Sequence, residues 1–319
     1  MTLAGKSLLV TGGAGFIGSH LVDRLVREAP GNLVVVDNLW LGREANLDQA
    51  RQAFPGLKFY PVDVRQARAM AAILRREETE IVFDLATIPL PASLVRPKWS
   101  ARAIYDMAAT LCELGRRGLY RTLIHCSSSE VYGTAAYVPM DESHPLLPRT
   151  PYAAAKAAAD LLVQSYQHSF GLDATIVRPF NNYGPRQNDQ NYAGIIPIVV
   201  RRVLAGQPPV IFGDGEQTRD YSFVTDVADG IVRVAMTPAA RGGVINLASG
   251  EEVTINRLVR TLTTILGYDG PIEYAAPRPG DVRRHLADIS RARQLIDYRP
   301  QTDLETGLRR TVAWYLGTG

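Results

Sequence analysis

Short apolar runs recur through the first half of the chain, at residues 8–11, 33–36, 57–62, 81–85 and 122–126, and stretches with helical spacing separate most of them. Strand and helix in alternation predict a parallel sheet covered on both faces, an α/β doubly wound fold. The pattern then changes: proline-rich connections at 179–185, 208–209, 271 and 277–279 break up shorter elements, as expected for a second, smaller lobe. A helix over 152–169, opened by Pro151, leads into a strand at 174–177, and a helix over 227–236 leads into another at 244–247. The two lobes are therefore expected to be interleaved. Residues 1–178 form the first, with segments near 213–249 returning to it, and 179–319 form most of the second.

Composition narrows the class without naming a chemistry. With 319 residues the chain can bury one large core or two unequal ones, and 46% hydrophobic with 21% charged residues is ordinary for a folded protein in water. The formal net charge of +3 comes from 35 basic and 32 acidic residues scattered along the sequence, so no basic tract points to nucleic acid. No run approaches the ~18 apolar residues of a membrane span, and the apolar start is too short for a secretion signal. Cys112 and Cys126 each fall in a stretch that reads as buried, so reduced thiols and a cytoplasmic setting are expected. His20, His125, His144, His168 and His285 have no metal-ligand spacing, and no metal is expected. Trp40, Trp99 and Trp314 stand far apart and are expected to pack in a core or interface rather than make a stacking platform.

The first chemical signal is the turn after the first strand. Gly13, Gly15 and Gly18 satisfy Gly-x-Gly-x-x-Gly, with Gly12 before them and Phe16 and Ile17 opening the next helix. In this setting Gly13 is expected to allow the tight turn, Gly15 the approach of a pyrophosphate to the backbone, and Gly18 close packing of helix on strand. Asp37 ends the second strand nineteen residues after Gly18. A carboxylate there accepts from both ribose hydroxyls of an adenosine and repels a 2′-phosphate, so NAD is the predicted cofactor. Asn38, Asp63 and Val64 on the adenine side, and Leu85 and Ala86 after the fourth strand, complete the predicted cofactor contacts.

A second signal is Tyr152 and Lys156, four apart and so on one helix face. A cation one turn from a phenol, joined by the charge of a bound nicotinamide, is expected to lower the phenol's pKa toward that of a working base. The segment Ser127 to Gly133, Ser-Ser-Ser-Glu-Val-Tyr-Gly, follows the fifth strand at the sheet edge where such folds bind ligands, and adds a hydroxyl to the set.

These motifs, with residues 178–186, 213–220 and 278–281, resemble the extended short-chain dehydrogenase/reductases, whose members modify nucleotide-diphosphate sugars on a Rossmann-like fold, and the resemblance spans nearly the whole chain. It implies Tyr152 as catalytic base, Lys156 as its modulator and a cofactor ligand, and Ser128 as the catalytic hydroxyl. It also implies a substrate site with Ser128, Asn181, Arg219, Arg278 and Asp281, and a homodimer packed through helices near 100–117 and 152–169. The implied substrate carries UDP or dTDP. Such enzymes oxidise C4 of the sugar to a ketone, and the ketone's fate sets the reaction.

Glu130, two after Ser128, resembles the base that 4,6-dehydratases use at C5, so 4,6-elimination is the expected reaction, with 4-epimerisation as the alternative. Residues 132–139 also resemble dehydratases acting on UDP-N-acetylglucosamine. Ser129 stands where many dehydratases carry Asp, and residues 284–286 lack the pattern of UDP-glucuronate decarboxylases, the next alternative. Asp84 replaces a usual His, Ala103 a usual Asn, and residues 88–93 replace a loop that normally touches the sugar. A non-catalytic NAD-binding regulator is the reading furthest from these.

Overall fold

A computed structural model of the chain describes residues 2–190, 192–277 and 282–317. Its centre is a parallel sheet whose first six strands in chain order are β1 (Ser7–Thr11), β2 (Asn32–Val36), β3 (Lys58–Tyr60), β4 (Ile81–Asp84), β5 (Thr122–Cys126) and β6 (Asp173–Pro179). A seventh strand, Val244–Leu247, joins from the C-terminal half, and the spatial order is Val244–Leu247, β6, β5, β4, β1, β2, β3. All neighbouring pairs run parallel. The strands are short and apolar throughout because both faces are covered. Leu8 and Val10 with Leu33 and Val35 pack on one core, and Leu9 with Val34 and Val36 pack on the other.

The helices that matter for the cleft are α1 (Phe16–Val26), α2 (Asp48–Ala53), α3 (Ala67–Arg76), α4 (Leu90–Val95), α5 (Pro97–Arg116) and α6 (Pro151–Phe170). Leu21, Val22 and Leu25 of α1 share one core with Val227 and Ile231 of the helix Val224–Met236, while Leu74 of α3, Leu111 of α5 and Val163 of α6 share the other. Helix α6 begins where the sequence suggests. Thr150 caps it, its hydroxyl accepting from the Ala153 N–H at 3.2 Å, and Pro151 follows in the first turn, where no N–H is missed. Its end is set by Gly171 in the left-handed conformation.

The third strand is shorter than the sequence suggests, three residues against six expected, because Pro61 has no N–H to continue the ladder. The fourth ends at Asp84, and the Leu85 N–H makes the last ladder bond, to the Thr11 carbonyl at 3.2 Å.

The remaining strands form three two-stranded ladders: Asn181–Tyr183 with Tyr221–Phe223, Thr218–Arg219 with Val253–Thr254, and Val210–Phe212 with Glu273–Ala275. Tyr183, Val200, Ile211, Leu258 and Leu308 give this part its own core. Among the described residues no helix is long and apolar enough to cross a membrane, and no group of His, Cys, Asp or Glu is placed to hold a metal ion. Cys112 and Cys126 are free and buried, and burial pushes both thiols up to about 12.

Candidate active site

The chain's direction across the sheet reverses between β1 and β4, and a crevice opens beyond the carboxyl ends of strands at such a point. A cleft of about 530 Å³ lies there. The glycine turn forms its floor. Gly12 has φ +64°, and a Cβ on it would lie 2.8 Å from the Ala86 nitrogen, so only glycine lets the ends of β1 and β4 meet. The tight turn is therefore made by Gly12, not by Gly13 as the motif suggests. Gly13 instead packs on β2, where a Cβ would lie 2.8 Å from the Val35 methyl, and it does not line the cleft. Gly18 serves helix packing as expected, since a Cβ there would lie 2.1 Å from the Gly12 carbonyl. Gly15, the residue before α1, borders the cleft and crowds nothing but the Gly12 carbonyl, which leaves the helix N-terminus open to an anion.

Asp37 is buried at the end of β2. One of its carboxylate oxygens accepts from the Ala14 N–H at 3.0 Å and the other from the Leu39 N–H at 2.8 Å. These bonds hold the carboxylate toward the cleft, while burial raises its pKa. Asn38 donates to Asp63 at 3.1 Å, and Arg65 clamps Asp63 with two bonds of 2.9 and 2.7 Å, holding its pKa down at about 2. Phe16, Ile17, Val64, Leu85 and Ala86 line the same cleft.

Opposite the glycine turn stand the predicted catalytic groups. Ser128 caps the helical turn Ser129–Tyr132, its hydroxyl accepting from the Glu130 N–H at 3.3 Å, and it lies close enough to the Tyr152 phenol to act on its pKa. Lys156 is buried and donates to the Cys126 carbonyl at 2.8 Å. Ser128, Glu130, Tyr152, Lys156 and Asn181 all line the cleft. The phenol departs from expectation. Burial pushes its pKa well above the ordinary value, the Ser128 hydroxyl pulls it down, and Cys126, Glu130 and Asp160 push it up.

One predicted substrate contact is not brought here. The Arg219 guanidinium is turned onto the Thr218 and Val282 carbonyls, at 2.7 and 2.5 Å, and does not line the cleft. Arg278 and Asp281 lie outside the described residues.

Other residues of the cleft were not legible as such. Asp84, which replaces a usual histidine, sits behind its wall: it accepts from the Thr11 hydroxyl at 2.8 Å and from His125 Nδ1 at 2.8 Å, while the same hydroxyl accepts from the Leu85 and Ala86 N–H groups. A buried pair across two strands leaves no spacing to read. Nor were the tryptophans separate: Trp40, Trp99 and Trp314 all line the cleft, and Trp40 touches Trp99. Their aromatic character was visible, but their meeting depends on the fold.

A glycine turn at a strand–helix junction, a buried acid on the next strand and a cleft at the switch point define a dinucleotide-binding protein of the doubly wound class. The space kept by Gly12 and Gly15 and the free acceptor capacity of Asp37 fit NAD. The chain belongs to the NAD dependent epimerase/dehydratase family, whose model matches residues 8–248, and NAD is its cofactor.

The UDP-glucose 4-epimerase of Mycolicibacterium smegmatis is 37% identical over 309 residues, covering 96% of this chain and 97% of that protein. Among solved structures, the UDP-glucose 4-epimerase of Thermotoga maritima with UDP-glucose is similar at a TM-score of 0.91 and 34% identity, covering 98% of this chain and 99% of that one. The dTDP-glucose 4,6-dehydratase DesIV of Streptomyces venezuelae, solved with NAD, is also 34% identical with a TM-score of 0.91, covering 98% and 97%.

Proposed function

We propose that the chain converts a nucleotide-diphosphate hexose, carried on UDP or dTDP, into its 4-keto-6-deoxy product with loss of water. The observation that supports this reading is that the Glu130 carboxylate shares the cleft with the Ser128–Tyr152 pair and lies near enough to raise the phenol's pKa. A second base beside the first is what elimination needs and what a simple exchange at C4 does not.

NAD, when bound, supplies the hydride acceptor for C4, later the hydride donor for C6, and a positive charge that favours ionised phenol. The Tyr152 phenolate takes the proton of the C4 hydroxyl, with Ser128 holding that hydroxyl in line and Lys156, fixed on the Cys126 carbonyl, stabilising the phenolate. The resulting ketone acidifies C5. Glu130 removes the C5 proton and passes it to the departing C6 hydroxyl, which leaves as water. A solvent proton then reaches C5 through Glu130 as hydride adds to C6. Asn181, on the cleft wall, meets the sugar diphosphate in this arrangement.

A homodimer through α5 and α6 belongs to the same reading, supported by the exposed Tyr105, Leu161 and Phe170 on those helices, as does a cytoplasmic location, supported by the two free, buried thiols.

Epimerisation at C4 is the second reading, favoured by the 37% identity to a 4-epimerase and by Ser129, a poor acid, beside Glu130. Incubation with UDP-glucose, dTDP-glucose and UDP-N-acetylglucosamine in deuterium oxide separates the two. Elimination gives a product lighter by one water with deuterium at C5, and Glu130→Gln loses both signals while still reducing the bound cofactor. Inverted C4 with no deuterium at C5 overturns elimination.

A further inference from the structure

Residues far apart in the sequence meet at the rim of the cofactor cleft. Trp40, in the loop after β2, lies edge-on to Trp99 of α5 with ring centroids 5.3 Å apart, and stacks on Tyr192 at 5.8 Å. The Arg96 guanidinium covers Trp99 at 4.4 Å. All three rings line the cleft, and Trp40 keeps 37% of its surface exposed, so the cluster borders the opening rather than filling a core.

Each ring comes from a different part of the chain, so the contact spans the opening instead of bracing one loop. Trp40 follows the buried acid Asp37 by three residues, and Trp99 lies in the first turn of α5. Tyr192 belongs to the segment between the strand Asn181–Tyr183 and the helix Ile195–Leu204. That segment is tied to the cofactor lobe at other points: Arg186 pairs with Asp23 of α1 at 2.6 Å, Asp189 with Arg43 of the Trp40 loop at 3.1 Å, and His20 Nε2 donates to the Pro185 carbonyl at 2.9 Å. Tyr192 itself has φ +69°, a conformation disfavoured for a bulky side chain, and it persists where surrounding contacts over-determine it. The stacked Trp40 ring is such a contact.

We propose that Trp40, Trp99 and Tyr192 form an aromatic clasp that retains NAD in the cleft, so that the dinucleotide leaves when these rings part. The inference rests on the redox-neutral reaction above. When hydride is taken and returned within one cycle, no exchange of cofactor is needed between turnovers, and a cleft that opens rarely does not slow the enzyme. Each aromatic pair of this kind contributes a factor of about two to ten in an equilibrium constant. Removing Trp40 breaks two pairs.

The test uses the purified protein loaded with NAD and mixed with excess isotopically labelled NAD, bound label being followed by rapid gel filtration. Trp40→Ala, which loses two pairs, is expected to exchange roughly ten-fold or more faster than the parent and Tyr192→Ala, which loses one, about two- to ten-fold faster, while Trp40→Phe, which keeps an aromatic ring at that position, stays within a few-fold of it. Thermal melting at saturating NAD identifies a variant that fails to fold, in which case the other alanine variant carries the comparison. Parent-like exchange in both alanine variants overturns the clasp while leaving the cofactor in place. A parent that holds no NAD after loading fails the cofactor reading, and the clasp with it.

Discussion

The proton inventory of the cleft turns on one phenol. Burial and the neighbouring Glu130 and Asp160 carboxylates hold Tyr152 above its ordinary pKa, so the protein's own groups keep it protonated near neutrality. Work as a base then requires positive charge arriving with the cofactor, which couples proton removal to cofactor binding. Tyr152→Phe removes the proposed proton acceptor and keeps the ring's packing. Turnover is expected to fall by roughly a thousand-fold, with NAD content and melting temperature close to those of the parent. Product formation and cofactor content measured on one preparation check this, and retained turnover would assign the base to another group. The spacing of Tyr152 and Lys156 was readable because a helix repeats every ~3.6 residues. The lysine's bond to the Cys126 carbonyl was not, since it depends on a strand 30 residues away.

Between elements, α6 is fixed to the sheet by charge as well as by apolar contact. Asp160, two turns beyond Tyr152, is fully buried, and Arg178 of β6 bonds its Oδ2 at 2.9 Å through Nε while donating to the Tyr132 hydroxyl at 3.0 Å. That hydroxyl in turn donates to Asn246 on the strand Val244–Leu247 at 2.8 Å, so one chain of bonds runs from α6 across two strands. Arg178→Met leaves the Asp160 carboxylate buried without its cation and is expected to cost about 3–5 kcal/mol. Urea unfolding measures it, and a double variant with Asp160→Leu is expected to recover much of the loss, because no charge is then stranded. A loss as large in the double variant would show that the arginine's packing matters more than its charge. At this scale the sequence was read well where a local rule acts alone, as at Thr150 and Pro151. It was read less well where a neighbour decides. Gly12, not Gly13, takes the left-handed turn because the meeting of β1 and β4 crowds that position, and such crowding has no signature in the glycine spacing.

Across the whole molecule, the segment running from the second lobe to α1 makes stability sensitive to acid. His20 of α1 donates to the Pro185 carbonyl, and burial, with Arg186 adding a smaller push, lowers its pKa to about 4. An unfolded chain binds a proton on that imidazole below about 6.5. Between pH 6.5 and 4 the unfolded state therefore holds more protons than the folded one, and stability falls as pH falls. His285, pushed down to about 3 by burial, acts with the same sign. Asp220 acts against them: burial raises it to about 6, so the folded carboxyl keeps a proton that the unfolded chain releases above about 4. Asp23, Asp37, Glu142 and Asp226, also raised by burial, act with Asp220, but the two imidazoles titrate over the widest spans, and the melting temperature is expected to drop on acidification from pH 7.5 to 4.5. His20→Gln keeps an N–H for the Pro185 carbonyl but has no proton to take up. Its melting temperature is expected to match the parent's at pH 7.5 and to exceed it increasingly below pH 6, and parallel pH curves for the two proteins would remove His20 from this account.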